Sequence, residues 1–424
     1  MKNCLCLLLS ASVAANLSAA VPRVDENTVT IVQAADREVT VTYRLTQAPG
    51  IVTVDFQTNC VTDAGEVWAS IGTKNFTNVG GAVNRIVTTL DADQKITWRP
   101  DLSWAGYKIT DGFRAVVKAW ALDAPPEYMA IDLAVDGSMF FYADETAVPG
   151  GIASDLYKTS RMLMRKIPAA NVVWRMGSPV GEAGKSSDDS SNTYETPHLV
   201  RLTADYYMCV YETTVCQYQM IKKWDSDPSR KPKCGISWNA LRGDGSSGAA
   251  NDWPSKGHAV STGSVMGLLR SRWPNQPLFD LPTEAQWEYA CRAGCGSGLY
   301  NGKELSEEEA AKIARYNKSS AQEVGLLAPN DWMLYDMAGN AGEFCLDTWA
   351  KMSALLTGEA GAIYDDPQGK ATAGAKSVRG GRYNSQAYQM RSAFRFTWGW
   401  GVTETPADVG FRVCCPAAFV IPES

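Results

Sequence analysis

The chain has 424 residues, room for two or three domains at roughly 100–200 residues each. Apolar residues make up 45% and charged residues 20%, which excludes a mainly disordered or fibrous chain. A net charge of −6 gives no general attraction to phosphate backbones and sets nucleic acid aside as a partner.

The first twenty residues, 1–20, read as a secretory signal peptide. Lys2 supplies a short positive start, Cys4 to Val13 is mostly apolar, and Ser18-Ala19-Ala20 has the small residues of a cleavage site. The alternative is an uncleaved apolar N-terminus. No later stretch approaches about 18 uninterrupted apolar residues, so no membrane span is expected. The signal implies an exported protein, periplasmic or extracellular. In such an oxidising compartment some of Cys60, Cys209, Cys216, Cys234, Cys291, Cys295, Cys345, Cys414 and Cys415 should form disulfides, and their odd number leaves at least one unpaired. No CxxC pair supports a zinc or redox site, and two histidines, His198 and His258, cannot build a three-histidine centre.

Residues 21–145 alternate between apolar and polar, with Pro, Gly, Asn and Asp between the runs. Val29 to Val32, Val39 to Leu45, Ile51 to Phe56, Val83 to Thr89, Lys95 to Trp98, Ala115 to Leu122 and Met129 to Leu133 read as strands. That spacing predicts an all-β sandwich of immunoglobulin or fibronectin type. Trp98, Trp104 and Trp120 are read as core, with a ligand platform as the alternative. Residues 146–168 read as a linker, opened by Pro149-Gly150-Gly151 and closed by a helical piece, Leu156 to Lys166.

The region after residue 168 is loop-rich and carries helix starts. Thr214 with Gln217, and Thr283 with Gln286, form capping boxes, in which a hydroxyl takes a free N–H and the amide answers back. Gly294 is the expected stop of the second helix, and Ser306 with Glu309 caps a third, Glu307 to Arg315. Gly181 to Ser191 and Gly243 to Asp252 read as solvated loops.

Several segments, in order, resemble one family. They are Trp174-Arg175-Met176-Gly177-Ser178, Glu195-Thr196-Pro197-His198, Tyr206-Tyr207-Met208 with Tyr211-Glu212-Thr213-Thr214, and Leu281 to Gly294. After them come Leu334 to Phe344, Val378-Arg379-Gly380-Gly381 and Val409-Gly410-Phe411-Arg412-Val413. Together they resemble the formylglycine-generating enzymes, or sulfatase-modifying factors, over residues 169–415, with a tail at 416–424. The resemblance implies an α+β fold of C-type-lectin-like type.

It also implies an activity that this chain lacks the residues to perform. Oxidases of the family convert a cysteine of a client sulfatase into formylglycine, using oxygen, copper and two cysteines shortly after the Arg-x-Gly-Gly segment. Two soft thiolates suit copper(I). Here Ser385 stands where the first cysteine is expected, and the shortened stretch before Arg391 has no counterpart of the second. Copper is therefore not expected. Cys414 and Cys415, neighbours on an expected strand, should point to opposite faces and could not share a metal without a bulge. Ser392 occupies the place of the family partner of Cys291, so that cysteine must pair elsewhere or stay free.

By the same resemblance, a structural calcium ion would be held by the side chains of Asp336 and Glu343 and the carbonyls of Gly339 and Ala341. The alternative is a solvated Gly-Asn turn. The floor of a ligand groove would be Tyr383 to Arg395. Arg382, Arg391 and Arg395 offer forked donors to carboxylate or sulfate, although for Arg391 and Arg395 internal pairing is the preferred reading. Tyr383, Tyr388, Trp398 and Trp400 supply flat apolar faces beside Asn384 and Ser385. Two functions stand against each other. One is a calcium-stabilised module binding a peptide or glycan, with a sulfatase as a candidate partner. The other is a formylglycine-generating oxidase with a relocated thiol site. The missing cysteine pair favours binding.

Overall fold

The computed structural model describes residues 20–421 apart from 64, 73–74, 76, 107, 111, 186–193, 224–226, 245–259, 274–277, 370–373 and 397. The expected signal, His258 and most of the two solvated loops lie outside the described residues. No helix among those described is long and apolar enough to cross a membrane.

The N-terminal unit consists of two antiparallel sheets. One orders Arg23–Val24, Val39–Thr46, Asp93–Trp98 and Val79–Gly81, with Thr30–Gln33 also on Val39–Thr46; the other joins Gly65–Ser70, Gly50–Thr62, Arg85–Val87 and Phe113–Trp120. Alternation decides the faces: Val39, Val41, Tyr43 and Leu45 point into one apolar cluster with Val52, Val54 and Phe56. Trp98 is its centre, stacked on Phe56 at 4.4 Å, with its indole N–H donating to the carbonyl of Asn75 at 3.0 Å. Trp104 and Trp120 are only partly buried around these cores.

Met129–Leu133, expected as the last strand of this unit, belongs elsewhere. The strand Tyr128–Asp132 pairs with Met139–Tyr142 on one side and Arg161–Ile167 on the other, in a sheet that continues through Tyr206–Cys209 to Cys414–Pro416. Residues 146–168 are therefore no linker. Only Leu156–Thr159 is helical, and Arg161–Ile167 is the middle strand of the second unit's largest sheet. The reason is two-sided burial. Met162 and Met164 enter one apolar cluster and Leu163 another, so the run lacks the alternation of a half-exposed strand.

The units meet through apolar side chains. Ile51 packs in the second unit's core, and the amides of Phe419 and Phe141 donate to the carbonyls of Leu122 and Asn84, each at 2.9 Å.

Both capping boxes form: Thr214 and Gln217 start Val215–Lys222, and Thr283 and Gln286 start Glu284–Arg292. The second helix ends in a left-handed Ala293 before Gly294. Ser306 caps Glu307–Ile313, but Glu309 turns to Lys312 at 2.7 Å instead of completing a box. Every residue of Glu284–Arg292 is buried, including Glu284, Glu288 and Arg292. Glu288 is closed by Arg379 and by Arg292 at 2.9 Å, and the two guanidiniums outweigh burial, lowering its carboxyl pKa. Replacing Glu288 by Ala strands both cations, so urea denaturation should show a loss of about 3–5 kcal/mol.

Candidate functional site

Three strands bring the family-like motifs together. Gly342–Thr348 pairs antiparallel with Lys376–Arg379, opposing Glu343 to Arg379, and parallel with Val409–Gly410. The chain then turns at Gly380 and Gly381, with φ of 91° and 70°. A Cβ on Gly381 would come within 2.3 Å of the Met390 methyl and one on Gly380 within 3.1 Å of the Trp287 ring, so this turn needs glycine.

The segment after the turn is tied down on both sides. Tyr383 donates its amide to Asn340 at 2.9 Å, and the carbonyls of Tyr383 and Ser385 accept from Lys318 and Asn317 at 2.7 and 2.9 Å. Ser385 is only 3% exposed, and its hydroxyl has no hydrogen-bond partner among the described residues. Ser392 sits beside the Cys291 thiol.

The three arginines of the expected groove are all consumed internally. Arg391 grips Glu195 at 2.7 and 2.9 Å and Glu182 at 2.9 Å, and Arg395 forms a fork on Glu284. Burial raises the Glu284 carboxyl, but Arg395 outweighs it and holds the pKa at about 2. Arg382, expected as a free donor, bonds Asp408 at 2.8 Å, and Asn384 bonds the same carboxylate at 2.9 Å. Asp408 precedes the Val409 to Val413 motif and was not singled out in the sequence. Its position next to that motif is the only signal it gives.

What remains open is aromatic. Tyr388 packs on Phe394 (5.9 Å), Phe394 on Phe396 (4.9 Å), Phe396 on Trp400 (5.0 Å) and Trp400 on Trp398 (5.8 Å). Tyr388 and Trp398, at the two ends of this row, are 39% and 52% exposed. The Arg382 guanidinium lies 4.6 Å over Phe396, held there by Asp408. Phe394 and Phe396 were missed in the sequence because alternate apolar residues there read equally as core.

The relocated thiol site finds no pair at Cys414 and Cys415. Cys414 and Cys415 enter separate apolar clusters, on opposite faces of their strand. Burial pushes both thiols well up, and Cys209 and Cys291 up to about 12, which disfavours thiolate. Cys234 lies electrostatically close to Tyr383 and Asp408, but burial raises its pKa too. One suppressed thiol and a serine do not fit copper(I). The nine described cysteines are all free thiols, which corrects the expected disulfides: no two of them are bonded in this fold. Denaturing thiol titration should therefore return nine thiols per chain lacking residues 1–20. Without denaturant Cys60, the exposed one, should react first. A lower total would indicate disulfides after all.

The Asp336 to Glu343 turn is built around other partners than a cation. Both Glu343 oxygens accept from Arg412 at 2.7–3.1 Å, and Oε2 also takes the Trp287 indole N–H at 2.7 Å. Asp336 accepts from the Gly325 amide at 2.6 Å, and burial raises its pKa to about 6. Glu212 holds the turn itself, accepting from Asn340 at 2.6 Å and the Ala341 amide at 2.8 Å. Gly339 donates its amide to Gly380 at 2.6 Å. A calcium ion at Glu343 would face a guanidinium on the same oxygens, so this donor set does not fit the ion. Melting curves with millimolar calcium and with chelator should coincide; a calcium-dependent rise lost in Glu343→Gln would reverse that assignment.

Known proteins bear on this geometry. The sulfatase-modifying factor enzyme 1-like domain family matches residues 175–417, more than half of the chain. A formylglycine-generating enzyme of Thermomonospora curvata is 29% identical over 162 residues, 35% of this chain and 51% of that protein. The serine/threonine-protein kinase pkn1 of Chlamydia pneumoniae is 32% identical over 132 residues, 31% of this chain and 20% of the kinase. Thus the chain spans about half of the first relative and a fifth of the second. Among solved structures, Treponema denticola variable protein 1 aligns over 60% of this chain and 95% of its own, at 20% identity and a TM-score of 0.45.

Proposed function

The chain belongs to the sulfatase-modifying factor family, and from that premise we propose that it is an exported binding protein without formylglycine-forming activity. One observation carries the proposal: a buried serine hydroxyl, that of Ser385, stands where the family resemblance asks for a copper-binding thiolate. A hydroxyl is a hard and weakly acidic donor that cannot replace the thiolate for copper(I). The relocated-thiol alternative has no support in the geometry, because Cys414 and Cys415 face different cores.

The binding surface in this reading is the row from Tyr388 to Trp398. Only its ends are open: the exposed rings of Tyr388 and Trp398, seated on the buried Phe394, Phe396 and Trp400, suit the apolar face of a sugar or a peptide side chain. Arg382 backs that row and does not act as an anion fork, since Asp408 already neutralises it. That one relative is named a protein kinase supports a domain used in settings other than sulfatase activation. Residues 23–120, with two sheets around one core, support an adhesive or spacer sandwich ahead of the binding domain.

The test is direct. Full-length protein lacking residues 1–20, loaded with copper and given oxygen, a reductant and a sulfatase-type cysteine peptide, should leave the peptide mass unchanged. Ser385→Cys alone should not rescue turnover, because the second thiol has no counterpart before Arg391. Formylglycine in the unmodified protein's product, lost on changing Cys234, Cys414 or Cys415, would sink the proposal.

A further inference from the structure

A cleft separate from the aromatic row enters the second unit beside the His198–Leu202 strand. Its outer part, ≈ 460 Å³, is lined by Arg175, His198, Leu356 and Tyr364 among others. His198, Leu356 and Tyr364 also line an inner chamber of ≈ 160 Å³. Met176, Met352 and Leu355 make that chamber apolar, and Glu284 and Asp347 supply its carboxylates.

The two carboxylates are not equivalent. Arg395 occupies both oxygens of Glu284. Asp347 is only 5% exposed and accepts one hydrogen bond, from the Glu284 amide to Oδ2 at 2.8 Å. Among the described residues its Oδ1 accepts none, and no cation lies within ion-pairing distance. Two cations act on it from further off: Arg395, committed to Glu284, and Lys376, turned to the carbonyl of Leu346 (3.2 Å), the hydroxyl of Thr348 (3.1 Å) and the Trp238 ring (4.1 Å). A buried carboxylate without a counter-charge is costly unless it is protonated or a cation arrives.

His198 adds a second open acceptor. Its Nδ1 lies 2.8 Å from the carbonyl of Thr196. A carbonyl only accepts, so the ring proton sits on Nδ1 and Nε2 keeps its lone pair. Burial lowers the imidazole pKa, which favours the neutral ring.

We propose that this chamber binds a primary ammonium group on a short aliphatic stem, the ammonium donating to Asp347 and His198 and the stem packing on Met176, Met352 and Leu355. The size agrees. A volume of ≈ 160 Å³ is about five water volumes at ~30 Å³ each, matching four methylenes and a nitrogen. The rest of a larger ligand would lie in the outer cleft. A lysine side chain and a free alkylamine share this chemistry.

The interaction should depend on pH. Burial, and then the charge of Glu284, raises the Asp347 carboxyl pKa to about 7. The charged groups acting on it are Glu284 with its partner Arg395, and Lys376, whose pKa burial lowers to about 8; His198 lines the same chamber. Below pH 7 the carboxylate takes a proton and loses its attraction for the ammonium. Affinity should therefore rise about tenfold from pH 6 to pH 8.

Calorimetric titration of the full chain lacking residues 1–20 with n-butylamine, N-acetyl-lysine methylamide and 1-butanol tests this. At pH 8 butylamine should saturate, with 1-butanol and the Asp347→Asn variant at least tenfold weaker and the variant melting as cooperatively as the parent. Leu356→Trp, which narrows the passage between the two parts of the cleft, should also abolish binding. Saturation by butylamine alone supports a free amine as ligand, and saturation by both amines a lysine side chain. Equal binding by 1-butanol or by Asp347→Asn, or no saturation by butylamine, overturns the proposal. Should Asp347→Asn fail to fold, the pH profile of the unmodified chain decides, and a flat profile rejects it.

Discussion

Buried guanidinium–carboxylate pairs hold the second unit together. Arg242, Arg379, Arg391, Arg395 and Arg412 are all almost sealed from solvent. Each closes on a carboxylate from a distant part of the chain: Asp280, Glu288, Glu195, Glu284 and Glu343 respectively. The remaining donors of several of these forks go to loop carbonyls that no strand ladder could satisfy. Arg412 serves Cys209, Val210 and Tyr335, Arg379 serves Ala393 and Phe394, and Arg395 serves Tyr194 and Ala350. A loop-rich unit must still pair its buried backbone, and a planar fork with five donors can do so for several segments at once. The charge adds a penalty for any arrangement that leaves it unpaired, which favours one loop packing over others.

This constraint also bears on the proposed binding surface. The arginines that look available for ligand anions are the ones fastening the fold, so in that reading recognition falls to the exposed rings of Tyr388 and Trp398. Nor does the fold rest on sulfur. None of the closing pairs contains a thiol, and the turn at Gly380 and Gly381 depends on contacts with Trp287 and Met390.

Local signals were legible in the sequence where a few neighbouring residues determine the outcome. The Thr283–Gln286 box predicted the start of the central helix, and alternation over Val39 to Leu45 predicted which face is buried. Signals failed where the partner is remote or the pattern ambiguous. Met162 to Met164, buried on both faces, reads as helix or strand alike, and its neighbours in the sheet come from far along the chain. Arg391 meets Glu195 across 196 positions, and Arg412 meets Glu343 across 69, so charges that read as ligand donors or calcium ligands proved to be each other's partners.

The carboxylates outside these pairs are then the informative ones. Glu212, Asp336 and Asp347 are buried, and none has a direct ion pair among the described residues. Glu212 is committed to the Asn340–Ala341 turn through two hydrogen bonds, and Asp336 to the Gly325 amide, with the charge of Arg412 nearby. Asp347 shares neither situation. It adjoins a chamber in place of a packed turn, and its neighbour Glu284 has already taken the available guanidinium. In a fold whose other buried carboxylates are closed by cations or held in a turn near one, an acid bordering a cavity is the position where a ligand's charge would complete the pattern.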